Sequence, residues 1–148
     1  LTPLSKQLKS MLQELGMVNA DMVVDHSRIP AGNSGIDSIE ILFSANKGVS
    51  PKPLALVASG GEFSRVMFSL KYILAEKSAL PTLILDEIDN GVSGEVAIRL
   101  GERMKEMAKH HQVIAISHLP QIAAKADTHF FVFKDHTANR TSTSIKKL

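Results

Sequence analysis

Acidic and imidazole groups stand at the ends of two apolar runs. Asp86 and Glu87 close the run Leu83–Leu85, with Asp89 just beyond, and Ser117 and His118 close the run Val113–Ile116. Adjacent carboxylates after a buried strand suit a metal-nucleotide centre. One carboxylate holds Mg²⁺, directly or through water, and the next orients or deprotonates an attacking water. Acids after a strand also serve as turn formers or helix caps, and a histidine there as a cap or core residue. Upstream, Ser59-Gly60-Gly61-Glu62 opens a long helical pattern. A bare helix N-terminus offers unpaired N–H groups and the positive dipole end, and glycines let an anion approach the backbone closely. The same residues would also make an ordinary serine N-cap. Three such features in order, each at a strand end or a helix start, favour the phosphate reading.

The elements that must position these groups follow from periodicity. Leu4, Leu8, Met11, Leu12 and Leu15 recur on one helical face, with Pro3 at the start and Gly16 at the end. Asp21 to Ile29 and Asp37 to Asn46 read as strands around a turn-rich segment, able to pair as an antiparallel hairpin. Pro51 and Pro53 mark a loop. From Ser59 to about Lys77 a helix is predicted with Val66, Met67, Leu70, Ile73 and Leu74 on one face. "TLILDE" then reads as a strand buried on both faces. Val92 to Ala108 is helical again, with Val96, Leu100, Met104 and Met107 repeating. Gln112 to Ser117 reads as a buried strand, "LPQIAAKA" as a short helix, His129 to Lys134 as a third strand and "STSIKKL" as a small edge strand. Strand and helix alternate in the βαβ manner, so right-handed crossovers would make these strands parallel, with their C-terminal ends on one edge. The expected class is α/β, a parallel sheet flanked by helices, with a small antiparallel part near the N-terminus.

Composition bounds the function. The 148 residues, 44% apolar and 22% charged, suit one globular domain with a real core. The 17 basic and 15 acidic residues are interspersed and leave a net charge of +2, so charge alone does not mark a nucleic-acid surface, apart from the basic pair Lys146, Lys147. Without cysteine there is no disulfide scaffold or thiolate metal site, and no apolar run approaches a membrane span. A cytoplasmic location without a membrane partner is expected.

At this point the chain resembles a family. "ASGGE", "TLILDEID", "NGVSGE" and "ISHLPQ" are similar to the signature motif, Walker B, D-loop and switch histidine of ABC-type ATPase heads. The wording from about Pro53 to Lys134 resembles the SMC-like members that act in bacterial DNA double-strand-break repair. The resemblance implies the C-terminal lobe of a P-loop NTPase-like ABC/SMC head as one domain over residues 1–148. Residues 1–16 would be the helix following a coiled coil, and residues 53–134 would carry the motifs. It implies ATP and Mg²⁺ as cofactors. Asp86 would stand on the Mg²⁺ side and Glu87 would polarise the hydrolytic water. His118 would sense the γ-phosphate, and Ser59, Gly60, Gly61 and Glu62 would meet ATP held by a second head. Asp89, Asn90 and Gly91 would fall in the D-loop region at that dimer interface, and Arg65 would couple the signature helix to the other lobe. DNA, engaged through the full-length protein at the nucleoid, is implied as well.

The signature opens on Ala58 where leucine is usual. No G-x-x-x-x-G-K-[ST] occurs, and no glycine precedes a lysine. With Leu1 opening the chain in a helical pattern, this implies a C-terminal lobe whose Walker A lobe lies elsewhere, and hence an isolated piece with little ATPase activity. Other readings fit less well. A serine hydrolase needs G-x-S-x-G, which Gly91-Val92-Ser93-Gly94-Glu95 breaks at its last position. A zinc site from His110, His111, His118 and Asp86 shrinks to two ligands, because adjacent helical histidines face apart. A non-hydrolysing ABC-like dimerisation module, or a head of another SMC-like or RecF-like chromosome-maintenance ATPase, keeps the same motifs.

Overall fold

The computed structural model describes residues 2–56, 60–78, 80–137 and 140–148. Helix α1 (Thr2–Glu14) ends at Gly16, whose φ of 82° turns the chain out of the helix. Leu8, Leu12 and Leu15 are fully buried, as the one-face pattern predicts. Strands β1 (Asp21–Gly32) and β2 (Gly35–Ser44) form the expected antiparallel hairpin, in register from Asp21 opposite Ser44 to Arg28 opposite Asp37. The short β3 (Lys52–Pro53) joins its edge by pairing with Leu42 and Phe43.

Helix α2 (Gly60–Lys77) lies between two cores and holds them together. Phe68, Tyr72 and Ala75 pack with Leu83, Leu85, Leu100 and Met104, whereas Val66 and Ile73 pack with Leu8, Leu12, Met22 and Phe43. This differs from the single apolar stripe read from the sequence, since Leu74 is 56% exposed while Phe68 is fully buried. A helix clamped on two flanks buries residues on both, which a one-face template misses.

Strands β4 (Thr82–Asp86) and β5 (Gln112–Ile116) pair in parallel, with Asp86 opposite Ile116. Between them, α3 (Gly94–Met107) makes the crossover and buries Ala97, Leu100, Gly101, Met104 and Met107. The short α4 (Pro120–Ala123) follows β5 and packs Ile122 beside Gly101. Two expectations are corrected here. Only one face of β4 is covered: Leu83 and Leu85 are buried but Ile84 is 59% exposed, and Ile114 and Ile116 of β5 are exposed with it. The third strand, β6 (Phe130–Thr137), does not extend the parallel sheet among the described residues. It pairs antiparallel with β7 (Arg140–Lys147) as a separate hairpin. A run of apolar residues announces a strand but not its partner, because pairing is non-local.

Candidate nucleotide site

The parallel register brings the chemistry-bearing groups to one edge. Asp86 ends β4 beside Ile116, and the Glu87 amide donates to the Ile116 carbonyl at 3.3 Å, so the chain leaves β4 just where β5 passes into Ser117 and His118. Glu87 sits at φ 49°, a left-handed conformation unusual for a non-glycine residue. It begins a tight turn in which Asn90 N–H donates to the Glu87 carbonyl at 3.2 Å and Val92 N–H to the Asp89 carbonyl at 3.0 Å. Gly91, at φ 70°, completes the bend. The consequence is a pair of exposed carboxylates, Asp86 and Glu87, lifted off the end of a strand. Backbone strain of this kind costs on the order of 1 kcal/mol and persists where its surroundings hold it.

Asp89 behaves differently from its acidic neighbours. It is 1% exposed, and its Oδ2 accepts the Ser117 hydroxyl at 2.5 Å and the His118 backbone N–H at 3.2 Å. The His118 Nδ1 lies 3.4 Å from the same oxygen, while the His118 side chain remains 74% exposed. Ser117 Oγ in turn accepts the Leu119 N–H at 3.1 Å. The turn after β4 and the turn after β5 are therefore tied through one carboxylate oxygen.

The start of α2 rests on the same turn. A Cβ on Gly61 would lie 2.5 Å from the Asn90 carbonyl oxygen, so only glycine permits this approach, whereas around Gly60 no other described residue stands within 4 Å. Glu62 lies half-buried in the first turn of the helix, and Ser59 falls outside the described residues. Arg65, one turn on, has its Nε buried without a hydrogen-bond partner among the described residues. The structure thus gathers Gly61, Asn90, Asp89 and His118 into one connected group beside the exposed Asp86 and Glu87.

Among the described residues no group of three or more His, Cys, Asp and Glu could cage a metal. Mg²⁺ needs no such cage, since it keeps its waters and is bound by one or two carboxylates together with substrate phosphates. The exposed Asp86 is a carboxylate of the kind such an ion takes. Two grooves of about 440 and 610 Å³ occur elsewhere, and neither is lined by Asp86, Glu87 or His118.

A charged group that sequence reasoning missed borders both grooves. Arg103 of α3 binds Glu14 at 2.6 Å and Glu106 at 2.7 Å, joining the end of α1 to α3. The Glu14 hydrogen bond, reinforced by Glu106, raises the Arg103 pKa above the ordinary guanidinium value. Burial, and then the Glu106 carboxylate beside it, push the Tyr72 phenol up. The Arg103 hydrogen bond, followed by that of Tyr72, holds the Glu106 carboxyl below its ordinary value. Arg103 and Glu106 form an ordinary i,i+3 helix pair, but Glu14 and Tyr72 reach them from other elements, which no sequence signal announces. No helix among the described residues is long and apolar enough to cross a membrane.

No family model matches the sequence. Among curated proteins, the chain is 44% identical over 119 residues to the DNA repair protein RecN of Halalkalibacterium halodurans, covering 80% of this chain and 21% of that protein. It is 42% identical over 146 residues to the protein of the same name from Rickettsia bellii, covering 98% of this chain and 26% of that protein. The chain therefore spans about a fifth to a quarter of the length of the curated relatives it matches. Among solved structures, the Smc head domain of Pyrococcus furiosus, bound to the C-terminal domain of ScpA, superposes with a TM-score of 0.67 at 19% identity, over 97% of this chain and 34% of that one. A structure from a study of ATP-driven dimerization and DNA-stimulated activation of SMC ATPases superposes with a TM-score of 0.61 at 19% identity, over 98% of this chain and 83% of that one.

Proposed function

This chain is a homologue of the DNA repair protein RecN with the fold of an SMC head domain, and from that premise we propose that it is the C-terminal lobe of a magnesium-dependent ATPase head acting in DNA double-strand-break repair. The observation that carries the reading is the sheet edge where exposed Asp86 and Glu87 stand beside His118 while the glycine start of α2 abuts the same turn. Its phosphate cradle would come from a Walker A lobe in the part of its relatives that this chain does not span. The exposed apolar face of β4 and β5, Ile84, Ile114 and Ile116, and the unpartnered Arg65 Nε support such a covering lobe.

Two heads would sandwich ATP. Gly60 and Gly61, with Ser59, would present the α2 N-terminus to the γ-phosphate held by the other head. Asp86 would hold Mg²⁺, which supplies charge neutralisation on the phosphates when bound. Glu87 would accept a proton from the attacking water as its oxygen bonds to the γ-phosphorus. The β–γ bridging bond breaks and ADP leaves with the electron pair. His118, open to the same edge, would contact the γ-phosphate. Because ADP lacks the group that α2 binds in trans, dimerisation energy would depend on the γ-phosphate and be lost on hydrolysis.

Co-expression with a Walker A lobe and sizing with and without ATP tests this reading. The unsubstituted head should dimerise on ATP, and Ser59→Arg should remain monomeric with its melting temperature unchanged. A Ser59→Arg head that still dimerises on ATP would refute the contact in trans.

A further inference from the structure

Three acids stand within four positions at the end of β4, and two of them face water while Asp89 does not. Burying a carboxylate is costly unless donors replace its water. Here the donors are supplied from one short segment, the Ser117 hydroxyl and the His118 amide, with the His118 ring nitrogen beside them. A group reaching across to a nucleotide on another head would need to be exposed; this one turns back into its own chain.

We infer that Asp89 is the positioning residue of His118. Through Ser117 Oγ and the His118 N–H it pins the turn that follows β5. By standing 3.4 Å from Nδ1 it sets which ring nitrogen faces inward, so Nε2 is the nitrogen left for the open edge. A carboxylate oxygen beside one imidazole nitrogen favours the proton on that nitrogen and leaves the other an acceptor, as carboxylates do behind metal-bound histidines. The neutral His118 ring therefore carries its proton on Nδ1. Nε2 of that ring is an acceptor, so a phosphate oxygen at the open edge would reach it through an intervening water that donates to both. Only that last step rests on the proposed ATPase reading, since the positioning needs no nucleotide.

The network also reaches α2 through the residue next to Asp89. The Asn90 carbonyl that Gly61 accommodates belongs to the next residue, so a displacement of Asp89 moves the seat of the α2 start.

The test is ¹⁵N spectroscopy of the histidine rings in this chain, at a pH where imidazole is neutral, with the His118 signals assigned by their loss in His118→Gln. The expected result is a protonated Nδ1 and an unprotonated Nε2 at His118, replaced by the Nε2–H form in Asp89→Leu and retained in Ser117→Ala. An Nε2–H ring at His118 in the unsubstituted chain overturns the inference without any variant. So does an unchanged Nδ1–H signal in a folded Asp89→Leu protein. Should Asp89→Leu fail to fold, the ring of the unsubstituted protein alone decides. A failure of the ATPase reading leaves this measurement untouched.

Discussion

Gly60 and Gly61 are neighbours of the same type at the start of one helix, and the structure gives them opposite responses to alanine. At Gly61 a Cβ would stand 2.5 Å from the Asn90 carbonyl oxygen, so reaching ordinary contact requires the turn to retreat by roughly 0.9 Å. That turn is held by the Asn90 to Glu87 and Val92 to Asp89 backbone bonds and, through Asp89, by Ser117. Forcing a methyl group into such a contact costs about 1–3 kcal/mol. Replacing glycine within a helix returns at most about 1 kcal/mol. Gly61→Ala should therefore be a net loss of up to about 3 kcal/mol, a fall in Tm of up to roughly 12 °C for a domain of this size. At Gly60 no other described residue stands within 4 Å, so Gly60→Ala should be neutral or gain up to about 1 kcal/mol. Paired thermal melts followed by circular dichroism read both variants. If Gly61→Ala melts at or above the parent, the packing of α2 on the Asn90 turn is refuted.

Glu87→Gly should relieve the left-handed strain at φ 49° and raise stability by on the order of 0.5–1 kcal/mol; a lower Tm would show that Glu87 has stabilising contacts of its own. Phe68→Ala, at a fully buried side chain between the sheet and α3, should cost about 3–5 kcal/mol by denaturant unfolding, and a cost under about 1 kcal/mol would contradict the packing. Arg103 depresses the folded-state pKa of Glu106, so their pairing contributes stability that is complete above the ordinary carboxylate value of 4.5 and is lost as pH falls through the lower folded value. Glu106→Gln should flatten that acid limb in melts taken across it, and an unchanged limb would remove Glu106 from the account.

Much of this arrangement is legible in residue order. The period of Leu8, Leu12 and Leu15 predicts α1 and its buried face, and the alternation of Asp21–Ile29 with Asp37–Asn46 predicts the hairpin that forms. The strand ends at Asp86 and Ile116 fall where the apolar runs stop. Coverage is what the runs conceal, because Leu83, Ile84 and Leu85 are alike in hydropathy yet only Ile84 faces out. The partner of β6 is equally hidden, since nothing local in "FFVF" distinguishes a parallel neighbour from the antiparallel β7. At the site, residue types reveal Asp86, Glu87 and His118 but not that Asp89 is buried, because its donors arrive from a strand end 28 residues away. The Arg103–Glu14 ion pair is invisible for the same reason: Glu14 lies 89 positions from its partner.

The role proposed for Glu87 is to activate the water that hydrolyses ATP between two heads. It is tested most directly by joining this chain to a Walker A lobe and measuring ATP turnover with and without Glu87→Gln. Positioned general bases contribute about 10²–10⁴-fold. Turnover should fall by at least about 10²-fold while ATP-bound dimers accumulate. Equal turnover in the two proteins would contradict the assignment.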